Sequence, residues 1–271
     1  MHPIPIRTMN FDVPSADRFH PLYIADNAAL SYSHTVTGLF VTYGEPFFVK
    51  SLRRIMDQIR DDELRENVTR FARQEAQHYQ RHADFNKVVL AHGYPGLQER
   101  IDLLQREFDG FLADETDRFR IGYIEGFESF TTQLGLQLLS SGLYDHKRTQ
   151  HAFGDLFKWH MLEEVEHRNV AFDVYQHLYG NSVQRARMCW FAQHHMFKFF
   201  SDCTRIMSAV DVKRHGERCR VSPRQRLKFA ANNLRMRART MLPGYSPHNH
   251  SIPPAIAELS AQLTQVAQVV L

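Results

Sequence analysis

The sequence lacks most of the features that would place it in a familiar class. No apolar run approaches the ~18 residues needed to cross a bilayer. The opening stretch MHPIPIRTMNFDVPSADRFHP has no continuous apolar segment of the kind a secretory signal carries. The three cysteines, Cys189, Cys203 and Cys219, are odd in number and lack CxxC spacing, which argues against a disulfide framework or a zinc knuckle. A reducing cytoplasm is therefore the expected compartment. There is no GxSxG, P-loop or GxGxxG motif, so serine-based acyl chemistry and nucleotide binding have no support. HExxH is absent, and His160-Met161-Leu162-Glu163-Glu164 fails the HxxEH pattern because its last position is Glu. A convincing series of period-2 strands is missing too.

Helical periodicity is abundant. It predicts helices over about 27–60, interrupted at Gly44-Glu45-Pro46, and from the Asp61-Asp62 cap to about Ala91, where His92-Gly93-Tyr94-Pro95-Gly96 stops it. A shorter segment at about 97–113 leads to helices over about 117–141 and 148–179. Two more follow at about 183–210 and 223–240, and 254–270 reads as a weaker amphipathic tail. Four long helices, each about 40 Å at 1.5 Å per residue, have the dimensions of a bundle. The expectation is one all-α domain over 1–271. It comprises an irregular segment (1–25), a metal-binding bundle (27–180) and a basic helical extension (181–271).

That extension carries 14 Lys and Arg between 181 and 240 against Asp202, Asp211 and Glu217, while the whole chain has a net charge of only +3. Its Arg residues alternate with Leu, Phe and Met, so the expected role is packing on the acidic part of the fold or on a partner subunit. Nucleic acid is not an expected partner, and contact with a membrane surface is a weaker expectation. The aromatic stretch His194-His195-Met196-Phe197-Lys198-Phe199-Phe200 reads as core packing by an added helix, or as one wall of a substrate cavity.

The acids carry the chemistry. At 100° per residue, Glu75, His78 and His82 fall within about 60° of one another beside Phe71, Phe85 and Val89. His160, Glu164 and His167 do the same, continued by Ala171, Val174 and Leu178; Glu163 lies at the border and Glu166 points away. Glu45 shares a face with Phe48, Leu52 and Met56. Glu128 shares one with Ile121, Thr132 and Leu139, and Glu125, one turn earlier, competes with it. Carboxylates turned toward Phe and Leu are costly unless something pairs with them. The chain order is thus Glu, ExxH, Glu, ExxH. In an i, i+3 pair a carboxylate and an imidazole emerge on one helix face, so two such helices and two lone acids can surround a pair of metal ions. Four carboxylates would balance two divalent cations.

Gly44-Glu45, Glu75-x-x-His78-x-x-x-His82, Glu128-Ser-Phe-Thr-Thr, His160-x-x-Glu163-Glu164-x-Glu166-His167, Arg168 to Tyr175 and Leu242-Pro243-Gly244-Tyr245 resemble the bacterial family of predicted metal-dependent hydrolases. The resemblance covers most of the chain. The ligand order is also similar to that of ferritin-like di-iron oxygenases of the p-aminobenzoate N-oxygenase type, in which an extra His precedes the last ExxH by one turn. That likeness implies a ferritin-like four-helix bundle and seven metal ligands: Glu45, Glu75, His78, Glu128, His160, Glu164 and His167. His82 departs from the pattern and is open as an eighth ligand, a substitute or a supporting group. Glu125 and Glu163 are further candidates. The expected centre holds two Fe ions, with Mn or Zn as alternatives. With O2 as co-substrate it would oxidise a small organic molecule and draw on an electron donor. The alternative is a dinuclear hydrolase using a metal-bound hydroxide. A homodimer is an open expectation.

Overall fold

Side-chain caps start most of the long helices of the computed structural model, which describes residues 4–269, and the one at Asp61 is that expected from the sequence. Asn27 accepts from Leu30 N–H at the head of α1 (Ala28–Ile55), and Asp61 accepts from Leu64 N–H at the head of α2 (Asp62–Ala91). α3 spans Leu97–Asp114. Thr116 caps α4 (Asp117–Ser140). α5 (His151–Glu166) and α6 (Val170–Leu178) follow. Asn181 caps α7 (Ser182–His215), and Ser222 with Gln225 forms a capping box ahead of α8 (Pro223–Thr240). α9 covers Pro254–Val266. The extended pieces among the described residues are β1 (Arg7–Thr8) and β2 (Gln268–Val269), which pair antiparallel.

The chain is an all-α helical bundle. α1 packs along α2, and α4 along α5 and α6; α1 touches α4, and α2 touches α5 and α6, which closes a four-helix arrangement. α7 covers the outside of α4 and α1, α3 lies against α1 and α7, and α8 rests on α4 and α7. One continuous core runs from Ile4 and Phe19 to Met236, rich in aromatic contacts such as the stacked Phe40–Phe127 pair. Close approach of the layers depends on glycine. A Cβ on Gly126 would lie 2.7 Å from the Cα of Cys189, so α4 and α7 meet backbone to backbone there.

Three expectations need correction. α1 runs unbroken through Gly44-Glu45-Pro46, because the flanking turns bury Phe40, Phe47, Phe48 and Leu52 and outweigh the one hydrogen bond that Pro46 removes. The helix expected over 148–179 is two. α5 ends at His167, whose N–H still bonds Glu163 O; Arg168 Nη1 then takes up the carbonyl of Val165, and Asp173 N–H donates to Asn169 O as α6 begins. Neither Gly nor Pro marks that break, so composition does not reveal it. Lastly, the basic block as a whole does not pack on the acidic part of its own chain: of its 14 cations only Arg185 is buried and Arg237 half-buried, and α8 itself buries just Met236 and Thr240.

The glycines supply a test of the layer packing. Gly126→Ala is expected to cost about 1–3 kcal/mol through overpacking against Cys189. Gly110→Ala on α3, where a Cβ meets nothing within 4 Å, should stabilise the protein by about 0.5–1 kcal/mol. Urea unfolding of the two variants measures both; equal stabilities would contradict the close α4–α7 contact.

Candidate metal centre

α1, α2, α4 and α5 each turn acids or imidazoles into the middle of the bundle. Glu45, Glu75, His78 and Glu164 are wholly buried, and Glu128, His160 and His167 nearly so. Two groups form. Glu45, His78, His160 and Glu164 offer one ligand atom each, all within 4.8 Å of one another, and so do Glu75, Glu128, Glu164 and His167. Glu164 belongs to both. All seven residues expected as ligands therefore converge, while His82, Glu125 and Glu163 belong to neither group.

Two contacts within the groups have hydrogen-bond length, His160 Nε2 to Glu164 Oε1 and His167 Nε2 to Glu128 Oε2 at 3.0 Å each, whereas the other spacings are longer and suit a cation between the ligands. His78 Nδ1 lies 3.8 Å from carboxylate oxygens of both Glu45 and Glu75, and 4.0 Å from Glu164. His160 Nε2 is 3.6 Å from Glu45, and His167 Nε2 is 3.5 Å from Glu75 and 3.6 Å from Glu164. Ligands about 2.0–2.2 Å from one ion stand roughly 3–4 Å apart. Both carboxylate oxygens of Glu45 and of Glu75, together with His78 Nδ1, Glu128 Oε1 and Glu164 Oε2, are buried with no hydrogen-bond partner. An orphaned buried polar atom costs about 1–3 kcal/mol, more when charged. So many together, all facing one spot, fit a pair of divalent cations.

Each of the three imidazoles is held from behind. His78 Nε2 lies 3.1 Å from Glu163 Oε2. His167 Nδ1 lies 3.0 Å from Gln74 Oε1, and Gln74 is oriented by its own amide N–H to Pro5 O. His160 Nδ1 meets His82 Nε2. In the tautomer that leaves His160 Nε2 free for a cation, its Nδ1–H donates to His82. Such partners fix ring orientation and raise ligand basicity. Glu163 is anchored in turn by Arg7 and by Trp159 Nε1, and Arg7 also forks onto Glu166.

The remaining candidates are thereby placed. His82 and Glu163 support ring nitrogens, and Glu166 points away from the centre. Glu125 is directed elsewhere, taking Arg185 Nη1 at 3.0 Å, Ser129 and Cys189. Gln74 and Arg7 escaped the sequence reading. Gln74 is one residue before Glu75 on the same helix and could have been found by phase; Arg7 lies 156 residues from Glu163 in a segment without periodicity.

Burial and the mutual repulsion of the carboxylates set the ionisation of these groups. Burial, reinforced by neighbouring carboxylates, raises Glu45 and Glu75 well above the ordinary range and Glu128 to about 7. Burial and Glu166 push Glu163 up to about 8. Burial opposes ionisation of His167, yet Glu164 and Glu128 carry it to about 10, and Glu164 falls well below its usual value. Burial lowers His78 and His82.

Between α1, α4, α7 and α8 lies a cavity of about 1040 Å³, its walls including Phe130, Leu134, Phe197 and Phe200. Arg205, Lys213, Arg220, Arg226 and Arg237 line it, and no acid does. Leu134 follows Glu128 on α4 by about 9 Å of helix rise.

A helical bundle whose interior gathers buried carboxylates and imidazoles in two groups able to hold metal ions defines a metal-binding protein of the helical-bundle class. The chain belongs to the family described as predicted metal-dependent hydrolase, which matches residues 5–251. No curated protein and no solved structure matches it significantly. No helix among the described residues is long and apolar enough to cross a membrane.

Two outcomes are expected of the centre. Glu164→Ala, which removes the carboxylate common to both groups, should abolish metal binding at the bundle centre. His82→Ala should keep the stoichiometry and weaken affinity about 10- to 100-fold. Elemental analysis and metal titration distinguish the two, and a Glu164→Ala protein with unchanged metal at the centre would refute the grouping.

For the metal-free protein, carboxyls raised in the fold hold protons that the unfolded chain releases. Their contribution is complete below the unfolded value of 4.5 and is lost as pH rises through about 7–8, where Glu128 and Glu163 titrate. Melting followed by circular dichroism should therefore show a lower midpoint at about pH 9 than at about pH 6, and metal loading should shrink the difference. A midpoint that rises with pH over this interval would contradict the assignment.

Proposed function

We propose that the chain is a dinuclear metal enzyme whose centre, most naturally di-iron, activates O2 to oxidise a small organic substrate. One observation carries the two-metal reading: the single Glu164 carboxylate is shared by two ligand groups that otherwise draw on different residues. Four carboxylates and three imidazoles suit redox-active iron, with Mn as the nearest substitute and Zn as a redox-inert one. Their charge of −4 is balanced by two divalent ions. The order Glu, ExxH, Glu, HxxxExxH, with His160 one turn before Glu164, is similar to that of p-aminobenzoate N-oxygenase and supports the same reading.

When bound, such a metal pair supplies electrons to O2. The protein's own part is to hold, orient and keep dry. Glu45, His78 and His160 fill one group, Glu75, Glu128 and His167 the other, and Glu164 spans both. His82, Glu163 and Gln74 fix the imidazoles from behind. Phe71 stands edge-on to His167 at 4.6 Å, and Trp159 to His78 at 4.8 Å, so aromatic carbon packs against two of the imidazoles. The neighbouring cavity would receive the apolar body of a substrate, and its cationic lining favours one that also bears an anionic group. An external electron donor would be the expected partner of such a centre.

A hydrolytic reading is favoured by one observation, the family description itself. On that reading the same ligands hold two ions that activate water. Metal content and oxygen reactivity separate the readings. The purified protein should contain two irons per chain, and O2 added to the anaerobic ferrous form should produce a transient visible absorption band. Zinc in place of iron at the bundle centre, no oxygen uptake and cleavage of an ester or phosphoester would establish the hydrolase and defeat the oxygenase.

A further inference from the structure

Away from the bundle centre, the C-terminal ends of α2 and α7 converge on three side chains. His92 is the residue that ends α2, and His215 is the last residue of α7. Asp211 lies one turn before His215, so the pair shares a helix face at i and i+4. One ligand atom from each of His92, Asp211 and His215 lies within 4.8 Å of the other two. His92 Nε2 stands 3.4 Å from Asp211 Oδ1. That is too long for a good hydrogen bond, and it is close to the roughly 3.3 Å edge of a tetrahedron whose ligands sit about 2.0–2.1 Å from zinc.

His92 Nε2 and His215 Nε2 are both shielded from solvent, and neither has a hydrogen-bond partner. Their rings stack at 5.7 Å with 19° between the planes. Asp211 is wholly buried and is oriented by two phenols, Tyr32 OH at 3.0 Å and Tyr94 OH at 3.1 Å. These are the kind of outer hydrogen bonds that hold a ligating carboxylate in place. The neighbouring guanidiniums hydrogen-bond groups other than the three ligand atoms: Arg214 Nη1 donates to the backbone carbonyl of His92, and Arg218 Nη2 meets His20 Nε2, whose ring lies 5.4 Å from that of His215. Burial also lowers the His92 imidazole from its ordinary value, with the Asp211 carboxylate opposing the shift. Finally, two helix C-termini aim their partial negative charge at this spot, which favours a cation.

We propose that His92, Asp211 and His215 form a zinc site separate from the bundle centre, clamping the end of α2 to the end of α7. Two neutral imidazoles and one carboxylate suit zinc, with water completing the tetrahedron. The site needs no chemistry of its own. By tethering α2, the helix that carries Glu75 and His78, it would steady one wall of the bundle. It stands independently of the reaction assigned to the centre.

The Glu164→Ala protein isolates this site, because its bundle centre has lost the shared ligand. Stripped with a chelator and titrated with zinc alone, it should bind one zinc per chain and melt at a higher temperature when loaded. Adding His215→Gln or His92→Gln should weaken zinc at least about ten-fold and remove the thermal gain; Tyr94→Phe should weaken it about 10- to 100-fold with the stoichiometry kept. Cobalt in place of zinc should give the intense visible bands of a tetrahedral ion, lost in His215→Gln. Zinc binding that is indifferent to both His substitutions, or no zinc on a folded Glu164→Ala protein, overturns the proposal. If Glu164→Ala does not fold, the wild type and His215→Gln are compared directly. A loss of one zinc per chain supports the clamp and equal zinc overturns it, whatever metal the bundle centre holds.

Discussion

Four carboxylates turned into a core of Phe, Trp and Leu are the constraint on which the rest of this fold is built. Left ionised and unpaired in that medium, they would oppose folding strongly, since desolvation of each charge outweighs what apolar packing around it returns. The fold meets this with three imidazoles set among the carboxylates in two groups able to hold metal ions, and with a surrounding set of residues that keeps each imidazole in one orientation. In the absence of cations, protons do part of the work, which is why Glu45, Glu75 and Glu128 are held above their ordinary range while Glu164 and His167 form an ion pair.

The ends of the chain belong to this arrangement. Arg7, fully buried, reaches from the N-terminal segment to Glu163 and Glu166 and also meets Ser260 and Thr264 of α9. Through Glu163 it touches His78, so the first and last parts of the chain close over the outer side of the centre. The opposite flank is different in kind. α7 seals α4 and α1 by close glycine packing, and α8 lies over the cavity with its cations largely exposed. A fully buried polar centre on one side and a flank of exposed cations on the other are two distinct environments in one bundle.

Much of this was legible in the sequence, and the reasons are local. Caps at Asn27, Asp61, Thr116, Asn181 and Ser222 are matters of a few adjacent residues. The convergence of Glu75 with His78, and of His160 with Glu164 and His167, follows from helical phase alone, provided the segment is a helix. Phase also separated Glu166 from Glu164 and left Glu163 at the border, where it supports His78 instead of joining either ligand group. What phase could not settle was a choice between helical neighbours. Glu125 and Glu128 are one turn apart on α4, and only the packing of α7, which brings Arg185 and Cys189 to Glu125, directs the first away from the centre.

The sequence by itself determined which helices form, which face of each is apolar, and which acids and imidazoles share that face, because these depend on spacing along the chain. The tertiary structure decided the rest. It carried α1 straight through Pro46, broke the last of the four expected bundle helices at His167 without a Gly or Pro, and made Glu164 common to two groups. It also drew Arg7, Gln74 and the His92–Asp211–His215 cluster into place. Those outcomes depend on contacts between segments far apart in the chain, where the energy of burying one helix against another exceeds the local preference of any single residue.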